Sequence, residues 1–421
     1  MTDFVEMTQS KSILLACAVG VILGALLGGF IILTIEDARS EIVQQKFLSL
    51  RYRVAEILPQ PTQPAFVPTA RATLAPIIEP SPTIQRSSPP TAIAQPTPRP
   101  TRTRAPIANA PSVPMQPRAA LRGIKHEYQR WNNCGPTTLA MALNYFGRAD
   151  TQAEIAAITK PNPDDRNVAP SELAAYATRA AQSMHARVRV NGTTDELKWL
   201  LSNEIPVIVE TELITQPQGW MGHYRLLIGY DATQFNTLDS YQGANVKISE
   251  ADLDAAWRAF NRLYIVIYSD EQAARVRAIL GDADDDKTMY TQAVARATAE
   301  IEADQKDAFA QFNLGSSLVG LKRYTEAAAA FDRARQLGMP WRMMWYQTDP
   351  YEAYLRVGRY DEVIALADAA LNRADMLEEA HYYKGLALRA LKRENDARRE
   401  FELALQFNKN FRDAANALAG K

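Results

Sequence analysis

The sequence predicts a multidomain chain: an α+β domain, then an all-α repeat array, with an apolar helix and a proline-rich linker in front of both. Three observations lead there. Helical periodicity fills the first part of residues 119–270 and strand-like runs crowd the second, the mark of α+β rather than alternating α/β. From 282 to 421 the chain is helical and recurs at intervals of 36 and 34 positions. Upstream, an uncharged run of 23 residues precedes a stretch that holds 16 of the chain's 24 prolines.

Composition narrows the classes of function. With 421 residues, 47% apolar and 23% charged, the chain has room for two or three domains with ordinary cores. A net charge of −1 supplies no drive towards nucleic acid, and no such partner is expected. The only two cysteines, Cys17 and Cys134, lie on either side of a long linker, so a disulfide framework is excluded and Cys134 reads as a free thiol. Four histidines and one accessible cysteine show no metal-ligand spacing, and no cofactor motif is present.

After a short tail (1–12), Ile13–Ile35 is long enough, at about 1.5 Å per helical residue, to cross a bilayer core as an uncleaved anchor. Lys11 before it and Glu36-Asp37 after it favour the N-terminus inside; Arg39, Lys46, Arg51 and Arg53 favour the reverse. The expectation adopted is a single-pass protein whose C-terminal region is extracytoplasmic. A juxtamembrane helix (36–58) follows. The linker (59–118) cannot bury a core, should stay extended, and could reach on the order of 150 Å.

In the α+β domain, apolar periodicity predicts helices near 136–146, 151–158, 170–182, 193–203 and 250–260. Strands are expected at "ARVRV" (186), "PVIVETEL" (206), "HYRLLIGYD" (223), "FNTLD" (235) and "LYIVIYS" (263). The chemistry starts at "QRWNNCGPTTLAMALNYFG", Gln129 to Gly147. Proline is accepted in a helix only in its first turn, so Gly135-Pro136 fixes the helix start and sets Cys134 at the positive end of the dipole. That position favours thiolate. The competing reading, a buried cysteine acting as a small hydrophobe, fits poorly with Asn132-Asn133 before it.

A thiol nucleophile needs a base. His381 falls in the repeats, His126 in a connecting loop, and His185 opens a strand after a helix. His223 follows Trp220-Met221-Gly222 and heads a strand, where the imidazole can project from the edge and Gly222 leaves room for substrate. Asp239, 16 positions on, would stand beside it across a short hairpin and orient the ring. Asp231 competes, but it falls in the turn, where capping suits it better. Gln129 could donate a side-chain N–H beside the Cys134 backbone N–H and complete an oxyanion hole; the alternative is an exposed loop residue.

The order Gln…Cys-Gly-Pro…His…Asp resembles the papain-like thiol peptidases. "NNCGPTTLAMALNYFG", "GHYRLLIGYD" and "LDSYQG" more closely resemble the C39-like peptidase domain, over about 150 residues. The resemblance implies a papain-like fold with Cys134 as nucleophile, His223 as base and Asp239 as orienter. Ser240 departs from it, standing where many relatives have proline, and no ATP-binding cassette follows. The double-glycine leader cut by transporter members is therefore not carried over.

The C-terminal part resembles tetratricopeptide repeats. "LKRYTEAAAAFDRA", "VGRYDEVIALADAA" and "LKRENDARREFELA" are the recurring units, with Ala327 and Ala397 between paired helices and Phe331 or Phe401 in the core. The middle unit departs, with Tyr351 for glycine and Val363 for alanine, and "MPWRMMWYQTDP" interrupts the array. The whole reads as a membrane-anchored cysteine peptidase acting on a peptide or protein, with a protein partner or substrate tail held by the repeats. Two alternatives remain open at this level: thiol amidohydrolysis or transpeptidation of cell-wall peptides, and a catalytically silent peptide-binding scaffold.

Overall fold

The computed structural model describes residues 114–420 apart from 163, 166, 181–182 and 216–218. The expected anchor at 13–35, the juxtamembrane helix and nearly all of the linker lie outside the described residues. No described helix is long and apolar enough to cross a membrane.

The expected helices of the α+β domain are α1 (Cys134–Tyr145), α2 (Gln152–Thr159), α3 (Pro170–Ala180), α4 (Thr194–Ser202) and α5 (Glu250–Trp257). Their starts follow from capping chemistry. Thr151 and Glu154 form a reciprocal capping box on α2, and the hydroxyls of Thr193 and Ser249 accept the first free N–H groups of α4 and α5. Gly147 adopts a φ of 74° just past α1, and its N–H closes on the Asn144 carbonyl.

The strands are β1 (Ala119–Ala120), β2 (Met184–Arg189), β3 (Val207–Thr215), β4 (Gly219–Tyr230), β5 (Gln234–Asp239), β6 (Gly243–Ser249) and β7 (Tyr264–Ser269). They form one sheet in the order β2-β7-β3-β4-β5-β6, with β1 paired to β4. Two features depart from expectation. The strand carrying His223 begins four residues early, at Gly219, so His223 stands inside the strand and not at its edge. β6 was not expected, because "GANVKIS" is held by pairing with β5 and sends only Ile248 to a core.

Period-two alternation divides the sheet between two cores. Ile208, Ile265 and Ile267 point to one side, against Leu139, Leu143 and Leu173 of α1 and α3. Val207, Val209, Val266 and Tyr268 point to the other, against Leu197, Leu200 and Leu253 of α4 and α5. The second core also takes Val276 and Leu280 of a further helix, α6 (Ala273–Leu280). Packing of this domain thus continues ten residues beyond the expected end at 270.

The C-terminal helices are α7 (Asp286–Ala303), α8 (Ala308–Gly320), α9 (Tyr324–Leu337), α10 (Met343–Tyr346), α11 (Asp349–Arg356), α12 (Tyr360–Leu371), α13 (Glu378–Ala390), α14 (Glu394–Phe407) and α15 (Arg412–Leu418). Hairpins α8–α9, α11–α12 and α13–α14 turn through the equivalent residues Lys322, Gly358 and Lys392, each with positive φ. The interrupting segment becomes the short α10 and leaves α11 with 8 residues, against 13 in α8 and α13. Tyr351 and Val363 are fully buried in the unit that departs from the pattern.

The array packs directly on the α+β domain, and the two share one continuous core. Asn313 Nδ2 donates to the Arg258 carbonyl at 2.7 Å, and Arg296 Nη1 to the Gly192 carbonyl at 2.8 Å. Arg262 pairs with Glu300 at 2.9 Å and Arg189 with Asp286 at 2.7 Å. Arg342 Nη1 donates to the Trp220 carbonyl at 3.1 Å, which carries the contact to the strand of His223.

Within each regular hairpin a glycine admits a phenylalanine. A Cβ on Gly385 would meet the Phe401 ring at 2.5 Å, and one on Gly315 the Phe331 ring at 2.6 Å. Both rings are fully buried. Gly385→Ala should therefore cost about 1–3 kcal/mol through overpacking. Adding Phe401→Leu should make the double variant less destabilised than the sum of the two single changes. Urea unfolding followed by fluorescence measures both, and strict additivity would show that the ring does not set the requirement for glycine.

Candidate active site

Helix α1 begins at Cys134, so the sulfur sits beside backbone N–H groups with no partner inside the helix. The thiol is half-buried, and the N–H groups of Gly135 and Tyr224 donate to it. His223 is within hydrogen-bonding reach of the same sulfur. The two elements are clamped: Thr138, one turn along α1, bonds the Tyr224 carbonyl of β4 at 3.2 Å.

The imidazole is held from behind. His223 Nε2 bonds Asp239 Oδ1 at 2.8 Å, which leaves Nδ1 for the sulfur. His223 is 2% exposed and Asp239 0%. The β4–β5 hairpin, with Leu226 opposite Leu238, brings them together as the spacing of 16 suggested. Asp239 has further partners. Its Oδ1 accepts the N–H groups of Tyr241 (2.8 Å) and Gln242 (2.9 Å), and its Oδ2 accepts Arg225 Nε at 2.9 Å.

Each ionisation follows from this arrangement. Burial alone would push the Cys134 thiol up, but the hydrogen bond and charge of His223 and two backbone N–H groups bring it below its ordinary value. Burial works against a charged imidazole at His223. The Asp239 charge and hydrogen bond, with the sulfur on the other side, raise it to about 9. At Asp239 burial is again outweighed, by His223 and then Arg225, and the carboxyl is held well below the usual range. The set is suited to a thiolate–imidazolium pair at neutral pH.

Gln129 is pinned to the residue after Asp239. Its N–H donates to the Ser240 carbonyl at 2.9 Å, and Ser240 Oγ donates to Gln129 Oε1 at 2.9 Å. The amide oxygen is thereby taken and Nε2 is left to donate elsewhere. The serine that departs from the family pattern is the group that orients the glutamine.

The remaining histidines have other duties. His126 Nε2 bonds the Asp239 carbonyl at 2.9 Å, His185 pairs with Asp270 at 2.5 Å, and His381 is buried against Glu400 at 2.6 Å. Asp231 caps the β4–β5 turn through the N–H groups of Thr233 and Gln234. Gly222 does not leave room for substrate as expected. A Cβ there would meet Phe260 at 2.7 Å and Tyr346 at 3.0 Å, so the space is filled, in part by the repeat array.

Sequence reasoning missed Arg225, Ser240 as the partner of Gln129, and Tyr346. Arg225 was discoverable, because residues i and i+2 of a strand share a face and both His223 and Arg225 can reach Asp239. Nothing local marks Tyr346, whose hydroxyl accepts the Gly222 N–H and feels the charge of Cys134 from 212 positions away.

Two outcomes follow. Replacing His223 by Ala leaves only the two backbone N–H groups to oppose burial at the thiol, so the midpoint of the pH dependence of Cys134 alkylation by iodoacetamide should rise by about one unit or more. The parent should show a second inflection near pH 9, where His223 loses its proton. Arg225→Ala leaves the buried Asp239 short of a partner and should destabilise the fold by about 3 kcal/mol or more. Because the folded Asp239 pKa is depressed, its share of stability is present above the ordinary carboxylate range and lost as pH falls. Thermal melts of Arg225→Ala should accordingly fall less steeply below about pH 4 than those of the parent.

Residues 113–265 match the model of the Peptidase_C39 like family. A solved structure from Bacillus anthracis, described as a C39-like peptidase, is 18% identical with a TM-score of 0.31, over 36% of this chain and 98% of that one. The peptidase domain of Streptococcus ComA, a bi-functional ABC transporter involved in a quorum sensing pathway, is 17% identical with a TM-score of 0.29, over 35% and 100%. MamA from Desulfovibrio magneticus RS-1 aligns at 17% identity and a TM-score of 0.27, over 32% and 83%. Comparison with curated proteins gives no match. Over residues 113–265 the chain is thus similar to the Peptidase_C39 like family, and a region of helical hairpins follows.

Proposed function

We propose that the protein is a cysteine peptidase that hydrolyses peptide bonds, anchored to a membrane by residues 13–35 and working at the extracytoplasmic face. In this reading Cys134 attacks the scissile carbonyl as thiolate. The Gln129 amide and the Cys134 N–H receive the oxyanion, and His223 protonates the leaving amine. Water, deprotonated by the same imidazole, then releases the acyl group from sulfur. Asp239 keeps the ring in the tautomer and orientation that both steps need. The helical array would hold a partner or the body of a protein substrate.

The observation that carries the reading is the convergence of Cys134, His223 and Asp239 in one buried chain of hydrogen bonds with opposed ionisation shifts. A scaffold that merely grips peptides has no use for an activated thiol, and this favours an enzyme over a silent binding module. Peptide-library cleavage by the full chain tests it. Cys134→Ala should abolish cleavage, and Gln129→Ala should lower kcat by about 10²–10³ with little change in KM. Cleavage that persists in Cys134→Ala would sink the assignment.

A further inference from the structure

Strand β4 runs from Gly219 to Tyr230, but its ladder to β5 pairs Leu226 to Tyr230, with Leu226 opposite Leu238. His223 therefore stands in the half of the strand that reaches beyond that ladder, where backbone groups find partners outside the sheet. The Tyr224 N–H donates to the Cys134 sulfur, and the Tyr224 carbonyl accepts from Thr138 of α1 at 3.2 Å. The Gly222 N–H is accepted by the Tyr346 hydroxyl, and the Trp220 carbonyl accepts from Arg342 Nη1 at 3.1 Å. These are alternate residues, whose backbone groups turn to one edge of a strand. His223 is bracketed there: the residue after it is clamped to the helix of the thiol, and residues before it are clamped to the array.

The array side of this bracket is closely built. Trp220 is 6% exposed and Phe260 2%, and Tyr346 meets both edge-on, at 6.0 and 5.8 Å between ring centres. The same Tyr346 ring lies 3.0 Å from where a Cβ on Gly222 would stand, so ring and backbone touch with nothing between them. Arg342 is steadied in turn, its guanidinium over the rings of Trp341 at 5.3 Å and Trp345 at 5.1 Å. Trp220 is fixed by its indole N–H as well, which donates to Glu212 Oε2 at 2.8 Å. On the His223 carbonyl itself, the α+β domain contributes the Thr211 hydroxyl at 3.4 Å, a long bond.

We infer that the array completes the thiol site: Arg342 and Tyr346 are positioning residues, which fix the strand just before His223 and so set its imidazole against the Cys134 sulfur. The inference rests on the peptidase reading for the reaction it serves, and its test needs no substrate. Displacing a reacting group by about 1 Å can cost on the order of 10²-fold in rate, so a clamp on the residue before the imidazole is enough. The array is then part of the reactive unit, and a contact that drew α10 away would slow the thiol without touching it.

The test is alkylation of Cys134 by iodoacetamide in the full chain as a function of pH, read by mass spectrometry of its peptide so that Cys17 does not contribute. Tyr346→Phe keeps the ring and loses the hydroxyl. Arg342→Ala loses the bond to Trp220, whereas Arg342→Lys keeps a donor. Tyr346→Phe and Arg342→Ala should each raise the midpoint by about half a unit, towards that of His223→Ala, and Arg342→Lys should restore the parent's. In the His223→Ala background neither change should move the midpoint further, because the route through the imidazole is gone. The other ionisable groups facing the pair are the same in all these variants: Asp239 and Arg225 on the hairpin, Glu210 on β3, Tyr224 on β4 and Lys160 after α2. Thermal melts report that each variant is folded; should Arg342→Ala not fold, Tyr346→Phe decides, because it opens no cavity. Folded variants with the parent's midpoint, or an equal rise in both backgrounds, would overturn the inference and leave the cluster as packing alone. Peptide cleavage keeps the two readings apart. A parent that cleaves, with a midpoint the array variants leave unmoved, removes the positioning role and leaves the peptidase standing. A midpoint that moves in a chain that cleaves nothing does the reverse.

Discussion

Four buried charges in alternation hold this site together. In order they are the Cys134 thiolate, the His223 imidazolium, the Asp239 carboxylate and the Arg225 guanidinium. Taking any one of them from water costs several kcal/mol. Each is flanked by the opposite sign, so the chain of charges sums to zero, and its thiolate end meets the backbone N–H groups of Gly135 and Tyr224. The short turn at 239–242 does much of the work. Its first residue orients the imidazole, its N–H groups hold that carboxylate, and Ser240 at its centre fixes the Gln129 amide through both backbone and side chain. The His223 imidazole and the Gln129 amide therefore share one rigid support.

The same constraint reaches into the helical array. Gly222 precedes His223 on β4, and the volume a side chain would need there is taken by Phe260 and Tyr346. Trp220 stacks on Phe260 at 5.8 Å and on Phe309 of α8 at 6.2 Å, while Arg342 holds its carbonyl. Withdrawing the array would open a gap one residue from the imidazole and remove a hydrogen bond from the strand that carries it. The departure from regular repeat spacing at "MPWRMMWYQTDP" acquires a reason here. A regular hairpin helix would present one flat face, whereas the short α10 turns Tyr346 down towards the strand.

How much of this could be read from the chain depends on where each signal resides. Cys134 was legible because helix initiation at Gly-Pro is a local rule. His223 and Asp239 were legible because a two-strand hairpin converts a spacing of 16 into proximity. The paired helices were legible because three units recur at intervals of 36 and 34 positions, with Ala327 or Ala397 between helices and Phe331 or Phe401 in the core. β6 was not, since only Ile248 of its residues reaches a core and the rest is held by pairing with β5. α6 escaped because it sits between two domains and completes the core of the first. Arg225 was hidden by habit rather than physics, being an arginine in an apolar run that reads as a solvated exception until its aspartate is found. Tyr346 and Glu210 could not be reached at all, because their significance depends on a fold-scale contact to which no local pattern points.

Glu210 shows how finely the site is balanced. Its carboxyl is buried without a partner, and both that burial and the nearby sulfur push its pKa well above the ordinary value. Both effects favour the neutral acid, which adds no charge to the alternating chain. Were it ionised, a second negative charge would stand beside the thiolate in a region of low effective dielectric, and the two would compete for the single proton on His223. The thiol would then be raised and the nucleophile lost. A carboxyl kept neutral in that place leaves the alternation along Cys134, His223, Asp239 and Arg225 undisturbed.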